Sequence, residues 1–160
     1  MLHRRLPRWD LEGHCYFLTC CVDRRRLILA RPELAARLIG LYAQIRDRGD
    51  VWLHAYVVMP DHYHMLLTLI GETSISAVVR KAHAPFAKHY RALTADYARV
   101  WERRFYDHVI RNDKDWEGKW DYIHSNPVIA GLVESALTYP WSSCAFWETG
   151  SGPVRCDPVR

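Results

Sequence analysis

Apolar and polar positions divide the chain into strand-like and helix-like runs. Gly13 to Val22 (GHCYFLTCCV) is rich in aromatic and β-branched residues and predicts a strand. Pro32 then suits the first turn of a helix, with Leu34, Leu38, Leu41 and Ile45 forming one apolar stripe and Gly49 closing it. Val51 to Met59 and His62 to Ile70 are two more strand-like runs, and the intervening Pro60-Asp61 has hairpin spacing and turn chemistry. Thr73 or Ser74 is placed to cap a second helix with the stripe Ile75, Val78, Val79, Ala82 and Phe86. Pro85 is expected to kink or interrupt that helix, because it removes a hydrogen-bond donor. A short strand is expected from Phe105 to Ile110, then a third helix from Asn112-Asp113 to about Ser125. The residue before Pro127 is pushed out of helical geometry, which sets that end. The order β-α-β-β-α-β plus a helix predicts an α+β, ferredoxin-like split β-α-β fold with an antiparallel sheet. One domain is expected over residues 1–149, followed by a loose tail over 150–160 that begins Gly150-Ser151-Gly152-Pro153.

Composition narrows the class. With 160 residues, 49% hydrophobic and 25% charged, the chain is sized and balanced for a globular domain. Apolar stretches are too short to span a membrane, and Asp10 and Glu12 stand where a signal peptide needs its apolar core. A cytoplasmic location is therefore expected. Cys15, Cys20, Cys21, Cys144 and Cys156 are odd in number and lack metal or disulfide spacing, so they read as free thiols. Net charge is only +4, but it is clustered. Arg80 to Arg111 holds eight Lys or Arg against three Asp or Glu, and Arg4, Arg5, Arg8 and Arg24-Arg25-Arg26 flank the first strand. Basic residues interleaved with Trp101, Phe105 and Tyr106 suit a phosphate backbone with bases to stack; a solvated charged face is the alternative. Tyr16, Trp52, Tyr56 and Trp120 read as core.

Two segments carry candidate chemistry. In Pro60-Asp61-His62-Tyr63-His64, strand alternation puts both imidazoles on one face, where they are natural donors to a divalent metal. A hydrogen-bonded polar strand face is the competing reading. In Tyr122-Ile123-His124-Ser125-Asn126-Pro127, Tyr122 and Asn126 are four apart and share a helix face. A tyrosine hydroxyl is a possible nucleophile, and an amide oxygen is a neutral, hard metal donor. An amphipathic core edge and a plain helix stop account for the same two residues.

Several motifs in order resemble the REP-associated tyrosine transposases, within the single-tyrosine, HUH (His-hydrophobic-His) single-strand nuclease class. They are Val57-Val58-Met59-Pro60-Asp61-His62-Tyr63-His64, the run Trp101 to Arg111, Tyr122 to Val133, and Tyr139-Pro140-Trp141-Ser142-Ser143. The resemblance spans about Tyr16 to Trp147. Ile129 departs from the family's usual lysine, and Tyr63 is bulkier than the usual residue between the histidines.

The resemblance implies a transposase that cuts and rejoins single-stranded DNA near palindromic hairpins through a 5′-phosphotyrosine, using Mg²⁺ or Mn²⁺. It assigns Tyr122 as nucleophile, on the added C-terminal helix, with His62, His64 and Asn126 as metal ligands. His108 and Arg111 match a family motif and are expected to touch DNA or support the site. Arg4, Arg5, Arg8, Trp101, Arg103 and Arg104 complete the expected DNA-binding set. A monomer is expected rather than a homodimer. The alternatives are a catalytically silent, domesticated nucleic-acid-binding module and a water-activating metallonuclease.

Overall fold

The computed structural model describes residues 13–159. Its strands are β1 (Cys15–Cys21), β2 (Val51–Val58), β3 (His62–Leu69) and β4 (Tyr106–Val109). Its α-helices are α1 (Pro32–Asp47), α2 (Ile75–Thr94), α3 (Asp113–Ile129) and the short α4 (Cys144–Thr149). The sheet runs β2-β3-β1-β4 with every neighbouring pair antiparallel, which is the split β-α-β arrangement the element order predicts.

Strand alternation sorts side chains between two cores. Tyr16, Leu18 and Cys20 of β1 and Tyr63, Met65 and Leu67 of β3 pack on the α1–α2 side. Phe17 and Leu66 face the other way, towards Ile123 of α3. That second face also carries His62 and His64, so α3 covers the sheet beside the paired imidazoles. A bulge in β2 between Leu53 and Ala55 inserts His54 and resets the alternation. Leu53 and Tyr56 consequently reach the first core, and Ala55 and Val57 the second.

Three expectations about elements need correction. α2 runs unbroken through Pro85, because its buried stripe (Ile75, Val78, Val79, Ala82, Phe86, Tyr90) continues on both sides of the proline. Its end is the left-handed Ala95, whose N–H donates to the Arg91 carbonyl. α3 continues past Ser125 to Ile129, with Pro127 inside it and buried. Packing of the proline ring outweighs the backbone bias against helix before it, and the Ala130 N–H donates to the Asn126 carbonyl beyond it.

The third correction concerns the tail. Residues 150–159 are docked, with Val154, Cys156 and Asp157 buried. The Asp157 N–H donates to the Leu53 carbonyl at 2.7 Å, and its carboxylate accepts from the Leu53 N–H at 3.1 Å and from Arg46 Nε at 2.7 Å. The Asp157 carbonyl accepts from His54 Nδ1 at 2.8 Å. A polar sequence rich in Gly and Pro gives no hint that the bulge offers these partners. Further along the same edge of β2, Ser142 bridges Val57 and Trp141 accepts from the Val58 N–H. The edge is thus closed to strand addition along much of its length. Ser143 sits at the N-cap position of α4 without capping it; its hydroxyl instead meets the Tyr56 backbone and His124.

Candidate active site

The His-x-His pair opens β3 and faces α3 across a cleft of about 330 Å³. His62 and His64 project from the same face with ring centroids 4.9 Å apart. Tyr122, on α3, meets His64 edge-on at 5.1 Å. Phe17 of β1 lies between them as a floor, stacked on His64 at 5.2 Å and edge-to-face with Tyr122 at 5.9 Å. Thr19, Arg25, Tyr106 and Lys119 complete the lining.

Each histidine is fixed from behind. Thr19 stands opposite His64 in the β1–β3 register, and its hydroxyl lies 2.8 Å from His64 Nδ1. His62 Nδ1 donates to the Asp61 carboxylate at 2.6 Å. Burial, reinforced by the nearby His62, Arg25 and Lys119, holds His64 down at about 3, so it is a neutral imidazole at pH 7. Its Nε2 is buried and has no hydrogen-bond partner among the described residues. In the tautomer that donates Nδ1–H to the Thr19 hydroxyl, Nε2 carries the free lone pair, an arrangement that suits a ligand to a cation.

The donor chemistry fits a divalent ion with open positions. Among the described residues there is no group of three His, Cys, Asp or Glu placed to hold a metal. Two imidazoles with a neutral oxygen donor would leave places for water or phosphate oxygen. Asn126 lies one turn beyond Tyr122 on α3 and is half-buried, but it is not part of the cleft lining.

Tyr122 is itself 45% exposed, enough for a large substrate to reach its hydroxyl. The turn after β1 brings Arg25 in through two successive left-handed residues, Arg24 (φ 57°) and Arg25 (φ 55°). Such a conformation costs a β-carbon-bearing residue about 1–2 kcal/mol. Arg25 Nη1 reaches the Asp61 carboxylate at 3.4 Å, so Arg25, Asp61 and His62 are linked in series.

The other expected site residues fall into different classes. Trp101 is a correction: it is 7% exposed and stacked on His83 at 4.0 Å, with Tyr63 and Phe86 around it. No ring face is open for a base. Its neighbours Arg103 and Arg104 are exposed on the segment leading into β4. Arg111 is exposed at the N-terminal approach to α3. His108 on β4 bonds the Asp115 carboxylate at 2.7 Å, and that carboxylate also accepts from the Arg111 N–H, tying β4 to the first turn of α3. Arg4, Arg5 and Arg8 lie outside the described residues.

Sequence reasoning missed Phe17, Thr19 and Lys119. Lys119 was open to detection, since it precedes Tyr122 by three residues on one helix face. Thr19 and Phe17 needed the β1–β3 register, which no local signal supplies.

The family model described as "Transposase IS200 like" matches residues 10–126. A REP-associated tyrosine transposase of Escherichia coli (strain K12) is 30% identical over 137 residues, covering 85% of this chain and 79% of that protein. A putative REP-associated tyrosine transposase of Haemophilus influenzae is 34% identical over 144 residues, covering 82% and 80%. A solved structure of a REP-associated tyrosine transposase bound to a REP hairpin superposes with a TM-score of 0.74 at 25% identity, over 98% of this chain and 93% of that one. A putative transposase from Deinococcus radiodurans shares the fold at a TM-score of 0.53 and 18% identity, over 72% and 93%. The chain belongs to the IS200-like transposase family, among the REP-associated tyrosine transposases, which are DNA-cleaving and strand-transferring enzymes.

Proposed function

We propose that this transposase cuts and rejoins single-stranded DNA beside palindromic hairpins through a covalent 5′-phosphotyrosine at Tyr122. The observation that carries the reading is the meeting of Tyr122 with His64 at 5.1 Å, with His62 another 4.9 Å along. The Tyr122 hydroxyl oxygen attacks the scissile phosphorus in line, and the bond from phosphorus to the 3′-oxygen breaks. The phenol gives up one proton and the leaving 3′-oxygen takes one up. Attack by a later 3′-hydroxyl runs the step backwards and reseals a strand, so the phosphodiester energy is conserved and no nucleotide triphosphate is consumed.

His62 and His64 would hold Mg²⁺ or Mn²⁺, with Asn126 as third protein donor, supported by its place one turn from Tyr122 and by the orphaned His64 Nε2. The ion would supply charge to polarise the scissile phosphate. Thr19 and Asp61 keep both imidazoles in the ligating tautomer, and Phe17 keeps Tyr122 against His64. Arg103, Arg104 and Arg111 bind phosphates of the flanking strand, and His108 supports the start of α3. Hairpin DNA is the substrate suggested by the relative solved with a REP hairpin. One copy brings tyrosine and histidines together, which supports a monomer acting in cis.

The test is a hairpin oligonucleotide with a labelled single-stranded flank, incubated with Mn²⁺, then denatured. A covalent protein–DNA band that disappears in Tyr122→Phe supports the tyrosine route. Cleavage without any adduct supports a water-activating nuclease, and binding without cleavage supports a silent module; either overturns the proposal.

A further inference from the structure

Lys119 lies on α3 one turn before Tyr122 and lines the same cleft. Its ammonium sits 4.7 Å from the centroid of the Phe17 ring, the ring that also touches His64 and Tyr122. A cation over an aromatic face is held by the ring's negative quadrupole, which pins a side chain that otherwise roams. The Lys119 charge helps to lower the Asp115 carboxyl one turn back, but the hydrogen bonds to that carboxylate come from His108 at 2.7 Å and the Arg111 N–H at 3.1 Å. The other cation of the cleft, Arg25, is already engaged with Asp61. Among the described residues lining the cleft, Lys119 is therefore the cation that no carboxylate holds at hydrogen-bond distance, and it shares that lining with Tyr122.

We propose that Lys119 is a further catalytic residue, whose ammonium contacts a non-bridging oxygen of the scissile phosphate as Tyr122 attacks. The proposal rests on reading the cleft as the site of DNA cleavage. As the phenol oxygen closes on phosphorus and the 3′-oxygen leaves, negative charge accumulates on the non-bridging oxygens. Among the described residues lining the cleft, no other is both cationic and uncommitted. A preorganised donor matched to charge that develops in the transition state accelerates bond-making more than it strengthens binding. The ammonium donates hydrogen bonds and keeps all its protons, so the balance of the strand-transfer step is unchanged. Because lysine and tyrosine share a helix, any movement of α3 that withdraws the hydroxyl withdraws the charge with it.

The experiment compares wild type, Lys119→Met, Lys119→Gln, Lys119→Arg and Tyr122→Phe on a hairpin oligonucleotide in Mn²⁺. Single-turnover cleavage is followed at saturating protein, and hairpin affinity and melting midpoint are measured alongside. Methionine keeps an apolar stem over Phe17 and removes only the charge. Lys119→Met and Lys119→Gln should cleave about 100-fold more slowly, the size of loss expected for one transition-state donor. Their affinity should stay within about threefold and their midpoint unchanged, since a single phosphate contact is a small part of total binding. Lys119→Arg should recover most of the rate. Wild-type rates in both neutral variants, or a slow rate that arginine does not rescue, would overturn the proposal. A Tyr122→Phe protein that still cleaves would overturn the tyrosine reading while leaving the Lys119 rates interpretable. A wild type that cleaves nothing would overturn both.

Discussion

Thr19 and Asp61 illustrate how much of this site is decided behind the groups proposed to do the chemistry. A threonine hydroxyl 2.8 Å from His64 Nδ1 and a carboxylate 2.6 Å from His62 Nδ1 decide which nitrogen of each ring is free. Thr19→Val keeps the shape and deletes the hydroxyl. It should weaken Mn²⁺ binding by about 10–100-fold, the usual effect of losing such a partner, with the melting midpoint of the metal-free protein little changed. Isothermal titration would settle it, and unaltered affinity would remove Thr19 from the site. Trp101 makes the opposite point. Enclosed by His83, Tyr63 and Phe86, it holds the core beneath β3, so Trp101→Ala should cost about 3–5 kcal/mol of stability in urea unfolding. If it were a base-stacking platform, the same variant would lose DNA affinity and keep its stability.

At the scale of elements, the alternation that reveals strands and the stripes that reveal helices were legible along the chain, and so was the placing of Tyr122 and Asn126 one turn apart on α3, of which Tyr122 alone lines the cleft. The failures all lie where tertiary packing overrules a local rule. Pro127 breaks a helix by its own chemistry, yet its buried ring keeps α3 going to Ile129. The bulge at His54 has no signature of its own, and the docked tail exists because that bulge exposes backbone groups for Asp157. Asp157 accepts from Arg46 at 2.7 and 3.0 Å and is 5% exposed. Asp157→Ala leaves the Leu53 N–H without a partner and Arg46 with only the exposed Asp47 carboxylate at 2.8 Å, so it should destabilise by about 3 kcal/mol. Amide exchange should rise at Leu53. Protection equal to wild type there would mean that the tail does not hold the edge of β2.

Across the whole molecule, histidines packed against the core make stability pH dependent. Burial holds His83 down at about 3 and lowers His54, so the folded protein resists protons that its unfolded chain binds near pH 6.5. Depressed histidine values mean that their contribution is full above about pH 6.5 and is lost as pH falls towards the folded value. At pH 5 the loss from His83 alone is about 2 kcal/mol. Asp157 adds to this in a lower window: burial raises its carboxyl, but Arg46, the Leu53 N–H and His54 outweigh burial and leave it lowered. Urea midpoints at pH 7.5 and pH 5 give the sign directly, and a protein as stable at pH 5 would contradict it. Charge is the second whole-molecule property. Replacing both Arg103 and Arg104 with alanine should weaken hairpin binding and reduce the salt slope by about one for each phosphate no longer neutralised. An unchanged slope would move the strand elsewhere on the surface.

The most direct test of the central claim is mass spectrometry of the denatured product of protein, Mn²⁺ and a hairpin oligonucleotide. The account predicts a nucleotide-bearing peptide with its phosphate ester on Tyr122, absent when chelator replaces the metal. Cleaved DNA with Tyr122 unmodified, or an ester on another residue, would contradict it.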